Sequence, residues 1–342
     1  GVMMQQFMDQ GPVNIPAGQV VGQKWRIKKK LGAGGCGAVY QVEDVNNPCF
    51  KAALKAESNF TAGGSVLKME VEILTRLKDN AHIAKLLGSG KRDNYQYMVM
   101  TLLGESLSNL LKKLYRCSVS TQIRLGVHIL HGLKAVHDIG FVHRDIKPGN
   151  LALGTPGPNG RIIHILDFGL SREYIVMEDI VRMRRPRKKA LFRGTTRYCS
   201  VSTHDRIEQG RVDDIWSLLY VMVECRSRLP WSNIRVKADV AECKRSTSDQ
   251  LLLKDCPIQL LDFASHLRTL NYYLRPDYLK LYTLLTEVME DGQIKMADPW
   301  DWEIKEISKA LKIEVTPSDE SSDELKLMTI NEKDFLENPF NF

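Results

Sequence analysis

Apolar and polar positions change rhythm near Gly104. Before it, short apolar stretches alternate with Gly-rich or polar punctuation. KWRIKKKLGAGGCGAVYQVED (24–44), followed by PCFKAALKAE (48–57), predicts a hairpin of strands and then a third strand. GSVLKMEVEILTRLK (64–78) places Val66, Met69, Ile73 and Leu77 at helical spacing, and YQYMVMTLL (95–103) reads as a buried strand. After Gly104, STQIRLGVHILHGLKAVHDIG repeats apolar residues at 123, 127, 130 and 133, and DDIWSLLYVMVECRS and PDYLKLYTLLTEVME are also helical in pattern. A mainly β lobe is therefore followed by a mainly helical one. TPGPNG (155–160) has the chemistry of a hairpin turn or surface loop, and the acidic, Ser-rich TPSDESSDE (316–324) reads as disordered. No internal repeat is visible.

Composition adds bounds. With 342 residues, 43% of them hydrophobic, the chain can bury a large core in one big domain or two lobes. Seven cysteines (Cys36, Cys49, Cys117, Cys199, Cys225, Cys243, Cys256) form no CxxC pair and no metal-ligand spacing, so they read as reduced thiols of an intracellular protein. The start lacks a basic region followed by an apolar run, and no apolar stretch of about 18 residues occurs, so neither secretion nor membrane insertion is expected. Residues 1–22 read as an N-terminal extension, with Gly1 in the place of Met as a remnant of expression. The net charge of +7 is uneven. Residues 314–342 carry eight acidic side chains (Glu314, Asp319, Glu320, Asp323, Glu324, Glu332, Asp334, Glu337) against Lys326 and Lys333, a balance of −6 that leaves +13 on the rest. That surplus favours anionic partners, whether nucleic acid, acidic protein segments or phosphorylated substrates.

Chemistry enters with Gly32, Gly34 and Gly37, a G-x-G-x-x-G arrangement with Val39 two residues on. Backbone N–H groups at such glycines can approach phosphates, although an unliganded Gly-rich turn has the same pattern. A dinucleotide-binding fold needs a helix directly after the glycines, whereas strand-like AVYQVED follows here, which favours a flap between two strands. Lys55 lies in the apolar strand AALKA, where an ammonium calls for an anion. Glu70, mid-helix, is the candidate partner, with Lys55 also reaching a phosphate. The alternative is a lysine extending to solvent and a Glu70 on the polar face. Glu72 competes for the role but lies about 200° further round the helix. Finally, FVHRDIKPGN (141–150) gathers His143, Arg144, Asp145, Lys147 and Asn150, and LDFGLS (166–171) follows with Asp167.

Taken in order, the Gly-rich loop, the strand lysine, H-R-D-x-K-x-x-N and D-F-G resemble the signature of eukaryotic protein kinases. The resemblance implies an α+β, bilobal fold over residues 23–303, with an N-lobe at 23–101 and a C-lobe at 102–303. A C-terminal extension from 304 follows, acidic from 314. ATP and Mg2+ would be the cofactors. Asp145 would orient the acceptor hydroxyl and take its proton, Lys147 would approach the γ-phosphate, and Lys55 paired with Glu70 would reach a phosphate. Asn150 and Asp167 would hold Mg2+, because hard cations prefer oxygen ligands. His143 is expected to be a structural residue behind the loop, and Arg144 to meet an anion of the activation segment. Carried over position by position, Leu31, Val39, Ala53, Met100, Ala152 and Leu166 would enclose the adenine. Backbone groups at Thr101 to Leu103 would hydrogen-bond it, and Met100 would guard the back pocket.

CSVSTH stands where most kinases have Ala-Pro-Glu, similar to the casein kinase I group. VLKMEVEIL, GFVHRDIKPGN, FRGTTRY, RVDDIWSLLYVMVE, LPW and DPWDWE look like its tau-tubulin kinase branch. That branch acts on Ser and Thr of proteins, microtubule-associated ones included. VRMRRPRKKALFRG (181–194) sets Arg182, Arg184, Arg185, Arg187, Lys188 and Lys189 before Arg193, beside the expected protein-substrate groove. Acidic or already phosphorylated substrates are the expected preference, since guanidinium binds phosphate bidentately; a solvated loop is the alternative. The acidic tail is either solvated or a competitor for that run, and DFLENPFNF (334–342) is either a docking element or a strap on the large lobe. Thr195 and Thr196 fall near the substrate loop, and activity is expected without their phosphorylation. All signature residues are present, so an active Ser/Thr kinase is expected ahead of a catalytically silent pseudokinase serving as a scaffold. A nucleic-acid binder ranks third, because the basic run has no interleaved aromatics. A monomer in the cytoplasm or nucleus completes the expectation.

Overall fold

A computed structural model describes residues 13–34, 37–60, 65–304 and 329–342. The tip of the Gly-rich loop at 35–36, the first twelve residues and the acidic stretch at 314–324, with its expected disorder, lie outside the described residues. The chain packs as two units. One runs to Gly104 and takes in Asp167–Gly169; the other holds Glu105–Leu166 and the chain from Leu170 onward.

Period-two alternation builds the first unit. β1 (Val20–Val21), β2 (Trp25–Ala33), β3 (Gly37–Asp44), β4 (Asn47–Ser58), β5 (Leu86–Lys91) and β6 (Tyr95–Thr101) form one antiparallel sheet in the order β1-β2-β3-β4-β6-β5. Ala38, Tyr40 and Val42, with Ala52, Leu54, Ala56, Tyr97 and Val99, point to one face and make a core with Trp25 and Ile27. Each large side chain buried there contributes roughly 1.5–3 kcal/mol. The register sets Lys55 between Val39 and Met98, and Ala53 beside Met100. The opposite face therefore carries Gly37, Val39, Ala53, Lys55, Glu57, Met98 and Met100, since alternate residues share a face.

Helix α1 (Leu67–Arg76) completes this unit. Its buried positions are Leu67, Glu70, Ile73 and Leu74, with Leu77 just beyond, whereas the spacing alone had nominated Val66 and Met69, which are only half-buried. The buried stripe is turned because Glu70, a polar residue by pattern, faces inward to meet Lys55.

The chain passes from the first unit into the second along β7 (Leu103–Ser106), which leads to α2 (Leu107–Lys112) and α3 (Val119–Asp138), a long helix buried almost all round. β8 (Phe141–Val142), β9 (Leu151–Gly154), β10 (Ile163–Ile165), β11 (Arg172–Glu173), β12 (Ile175–Met177) and β13 (Val181–Met183) are short ladders around the loops that matter. β8 pairs with β11, so the chain before His143 is fixed to the chain after Leu170. TPGPNG is the connection between β9 and β10. Helices α4 (Val201–His204), α5 (Arg211–Glu224), α6 (Lys237–Ser246), α7 (Asp249–Leu252), α8 (Gln259–Arg268) and α9 (Tyr278–Asp291) follow. α3 packs against α5 and α9, and a 3-10 turn at Glu332–Phe335 lies against α3 and α9. The six described cysteines form no disulfide, and among the described residues no helix is long and apolar enough to cross a membrane.

Candidate active site

In the first unit, three charged groups converge. Lys55 Nζ donates to Glu70 Oε1 at 2.6 Å and lies 3.5 Å from Asp167 Oδ1. Burial alone would lower the Lys55 pKa, but Glu70 and then Asp167 outweigh it and hold the ammonium above its ordinary value. Glu72, the competing carboxylate, instead lies on the exposed side 3.7 Å from Arg76. Asp167 adopts a left-handed φ of +58°, and its Oδ1 accepts the Gly169 N–H at 3.0 Å, which fixes the carboxylate next to Lys55.

The Gly-rich strand ends fit a phosphate. A Cβ at Gly37 would strike the Ala56 carbonyl at 2.5 Å, so β3 and β4 can approach only with glycine there. At Gly32 and Gly34 a Cβ would meet no protein atom within 4 Å, so packing does not demand glycine and the backbone is left open to a ligand. Val39, Ala53 and Met100 share the Lys55 face; Leu31 is largely exposed. The Thr101 N–H already donates to the Lys85 carbonyl at 2.9 Å, and the Thr101 hydroxyl accepts from Lys85 N–H at 3.0 Å. A base at this edge would therefore use the other backbone groups up to Leu103.

In the second unit, Asp145 stands at the centre of a polar loop. Its Oδ1 accepts the Thr195 hydroxyl at 2.8 Å, its Oδ2 accepts from Asn150 Nδ2 at 3.2 Å, and Lys147 Nζ lies 3.7 Å from Oδ2. Asn150 Nδ2 also donates to the Asp145 carbonyl at 2.9 Å, leaving the amide oxygen as the hard donor able to meet a cation. Among the described residues no cluster of three or more His, Cys, Asp or Glu could hold a metal, so a cation at Asn150 or Asp167 would complete its shell with phosphate and water oxygens, as Mg2+ does. Ala152 and Leu166 flank this loop: Ala152 pairs with His164 in the β9–β10 ladder, and Leu166 N–H donates to the Asn150 carbonyl at 2.8 Å.

Beneath the loop, His143 Nδ1 accepts the Asp145 N–H at 3.0 Å and its Nε2 faces the Leu166 carbonyl at 2.8 Å. Nε2 must then carry the hydrogen, and neither nitrogen is available as a base. Arg144 has a left-handed φ of +73°, held by Asp214: one carboxylate oxygen accepts the Arg144 N–H at 2.9 Å, the other accepts the His143 N–H and His137 Nε2–H, both at 2.8 Å. Burial would raise the Asp214 pKa, but His137 outweighs it and keeps the carboxylate below its ordinary value.

The protein kinase domain pattern matches residues 25–289. This chain belongs to the protein kinase family. The kinase is 49% identical over 298 residues to a Caenorhabditis elegans protein whose name, serine/threonine-protein kinase, is provisional, with 86% of each chain covered. A similarly named protein of Dictyostelium discoideum is 36% identical over 302 residues, which are 87% of this chain and 60% of that one. An inactive tau-tubulin kinase of Caenorhabditis elegans is 39% identical over 252 residues, covering 70% of this chain and 87% of the relative. The enzyme class is protein serine/threonine kinase, and the fold class, a mainly β unit and a mainly helical one, is that of the family.

Several residues of the kinase site carry no local signal. Glu57, two positions after Lys55, accepts from Val66 N–H (3.0 Å), Leu67 N–H (3.2 Å) and the Ser65 hydroxyl (3.1 Å), and so caps α1 from β4. Lys244 is buried under the 195–199 loop. Its ammonium reaches the carbonyls of Thr196 (2.7 Å) and Cys199 (2.6 Å) and His204 Nε2 (3.0 Å). The basic run is also less free than its sequence. Arg187 lies 3.0 Å from the buried Glu208, which takes Arg172 at 2.7 Å as well; Arg184 lies 3.3 Å from Glu173, and Arg182 3.9 Å from Glu178. Arg193 donates to the neighbouring Phe192 carbonyl at 3.2 Å. Arg185 and Lys188 are exposed and have no ion-pair partner among the described residues.

Proposed function

We propose that this kinase transfers the γ-phosphate of Mg-ATP to Ser and Thr hydroxyls of protein substrates, with Asp145 as the group that meets the acceptor. The observation that carries the reading is the Asp145 carboxylate, held by Thr195 and Asn150 with Lys147 beside it. Bound Mg-ATP supplies the transferable phosphoryl group and the cation that neutralises its charge. Asp145 orients the hydroxyl and accepts its proton; Lys147 offers an ammonium to the charge that develops. Lys55, kept charged by Glu70, pairs with phosphate oxygens, while Asp167 and the Asn150 amide oxygen ligate the cation. The backbone at Gly32, Gly34 and Gly37 covers the phosphates, and Leu31, Val39, Ala53, Met100, Ala152 and Leu166 contact the base.

Within the family, the tau-tubulin kinase branch is the best assignment, supported by the motifs quoted above and by the 39% identical relative. Acidic or primed substrates follow from the exposed Arg185 and Lys188 rather than from the whole run, since neighbouring arginines already have carboxylates. Reversing both to Glu is expected to weaken a primed peptide and spare a neutral one; equal loss on both removes this preference. Catalytic silence, the property named for that same relative, is the competing reading, and the intact Lys55, Glu70, Asp145, Asn150 and Asp167 weigh against it. The deciding experiment is phosphate transfer from Mg-ATP to a Ser/Thr/Tyr peptide library by wild type and Asp145→Asn. Transfer to Ser and Thr that disappears in the variant supports the proposal. ATP binding without transfer supports the silent scaffold.

A further inference from the structure

The last fourteen residues are held as a recognised peptide is held, by a few anchors rather than by continuous burial. Phe335 is 1% exposed, stacked on Tyr282 of α9 (centroids 4.3 Å apart, planes at 17°) and edge-on to His131 of α3 at 5.6 Å. Asp334 Oδ2 lies 3.1 Å from His131 Nε2. Phe340 packs on the cluster of Val142, Tyr174, Ile175 and Tyr272. Between and around these anchors most side chains face solvent, Leu336 at 61% among them. The groove instead captures backbone oxygens: Tyr282 hydroxyl donates to Ile330 O (3.3 Å), Arg275 to Glu337 O (2.8 Å) and Arg211 to Phe342 O (3.0 Å). Asn331 and Asp334 close a capping box that sets the turn carrying Phe335. Two apolar anchors with main-chain capture are the features of linear-motif recognition.

We propose that residues 329–342 are a docking motif for this groove, and that its Phe340 end braces the chain entering the catalytic loop. The connection is short. Phe340 packs on the cluster that includes Val142, which directly precedes His143, and Gly140, at a left-handed φ of +93°, leaves a Cβ position only 3.2 Å from Ile175 and 3.8 Å from the Phe340 ring. Arg211, which holds the Phe342 carbonyl, also lies 4.8 Å from the Tyr174 ring, at the base of the hairpin that carries the basic run. A seated motif therefore fixes β8 and the start of β12 together. The bracing rests on the catalytic role given to Asp145; the docking does not.

The test uses the full chain with a protease site introduced at 316–322, cut after purification and diluted. The freed segment is expected to dissociate, kcat to fall between about 10- and 100-fold through misplacement of the loop, and added synthetic peptide 329–342 to restore it. The same peptide with Phe335→Ala and Phe340→Ala should neither bind nor restore. Binding is followed separately, by fluorescence anisotropy of labelled peptide, so a chain without kinase activity still reports on docking. Failure of the labelled wild-type peptide to bind the cut enzyme overturns the motif. Uncut Phe340→Ala guards against unfolding of the cut chain: with Phe335 still seated, its kcat should drop with ATP KM unchanged, and Leu336→Ala should match wild type. An unchanged kcat in Phe340→Ala overturns the brace.

Discussion

Lys55 and Glu57 stand two residues apart on the same face of β4 and grip one helix at two heights. Lys55 pairs with Glu70 in the middle of α1, while Glu57 accepts the N–H groups of Val66 and Leu67 at its start. Val66 brings no side-chain cap of its own, so the strand supplies what the helix lacks. Glu57→Ala is expected to destabilise the fold by about 1–2 kcal/mol, the scale of a lost cap, and to raise the KM for ATP because Glu70 loses its placement. Glu57→Gln, which keeps one acceptor, should recover part of both. Denaturant unfolding and ATP kinetics measured together decide it: lost stability with an unchanged KM would make Glu57 a purely structural cap.

Thr195 binds Asp145 through its hydroxyl, so it positions the proposed proton acceptor. Thr195→Ala should lower kcat by about 10- to 100-fold, with Thr195→Ser close to wild type. A phosphate at this oxygen would set negative charge against Asp145. Mass spectrometry of the fully active enzyme is therefore expected to find Thr195 unmodified.

Lys244 places its three N–H donors among the carbonyls of Thr196 and Cys199, the His204 Nε2 and, at 3.7 Å, the Cys199 Sγ. Burial brings its pKa down to about 8. Around it, burial, with Lys244 and Lys237 nearby, holds His204 down to about 4; burial pushes the Cys199 thiol above its ordinary value, leaving Lys244 to titrate near pH 8. As the pH rises through about 8 the ammonium loses one donor, and the peptide KM should rise while the ATP KM holds. Stability moves the other way: between about 8 and the ordinary lysine value of 10.5 the unfolded chain binds the extra proton, so unfolding becomes harder as pH increases. Lys244→Met should abolish the step and raise the peptide KM about 3- to 30-fold at every pH.

Asp214 holds the left-handed Arg144 backbone by charge-assisted hydrogen bonds from three N–H groups. Asp214→Asn leaves that constellation short of an acceptor and a charge, and should cost about 3–5 kcal/mol of stability. Its carboxyl is depressed from the ordinary 3.8, so its contribution is complete above that value and is lost as the pH falls below it. The stability gap between wild type and variant should therefore narrow in acid, as read by chemical denaturation from pH 6 down to pH 3.

By itself the sequence determined whatever depends on near neighbours. Alternation along 24–57 and 95–101 yields the strands and puts Val39, Ala53, Lys55 and Met100 on one face, because side chains in a strand alternate. The spacing from Asp145 to Lys147 and Asn150 brings amine, amide and carboxylate into one loop, because so few residues cannot separate them. What tertiary structure decided lies between distant residues whose meeting no local pattern encodes. Thr195 reaches Asp145 across 50 positions and Asp214 reaches Arg144 across 70, while Phe335 finds Tyr282 in a cage built by two helices. The buried carboxylates made the largest difference. Glu57, Glu208 and Asp214 look like solvated charges in a one-dimensional pattern, yet each is inside, because a charge leaves water only where folding has assembled its partners.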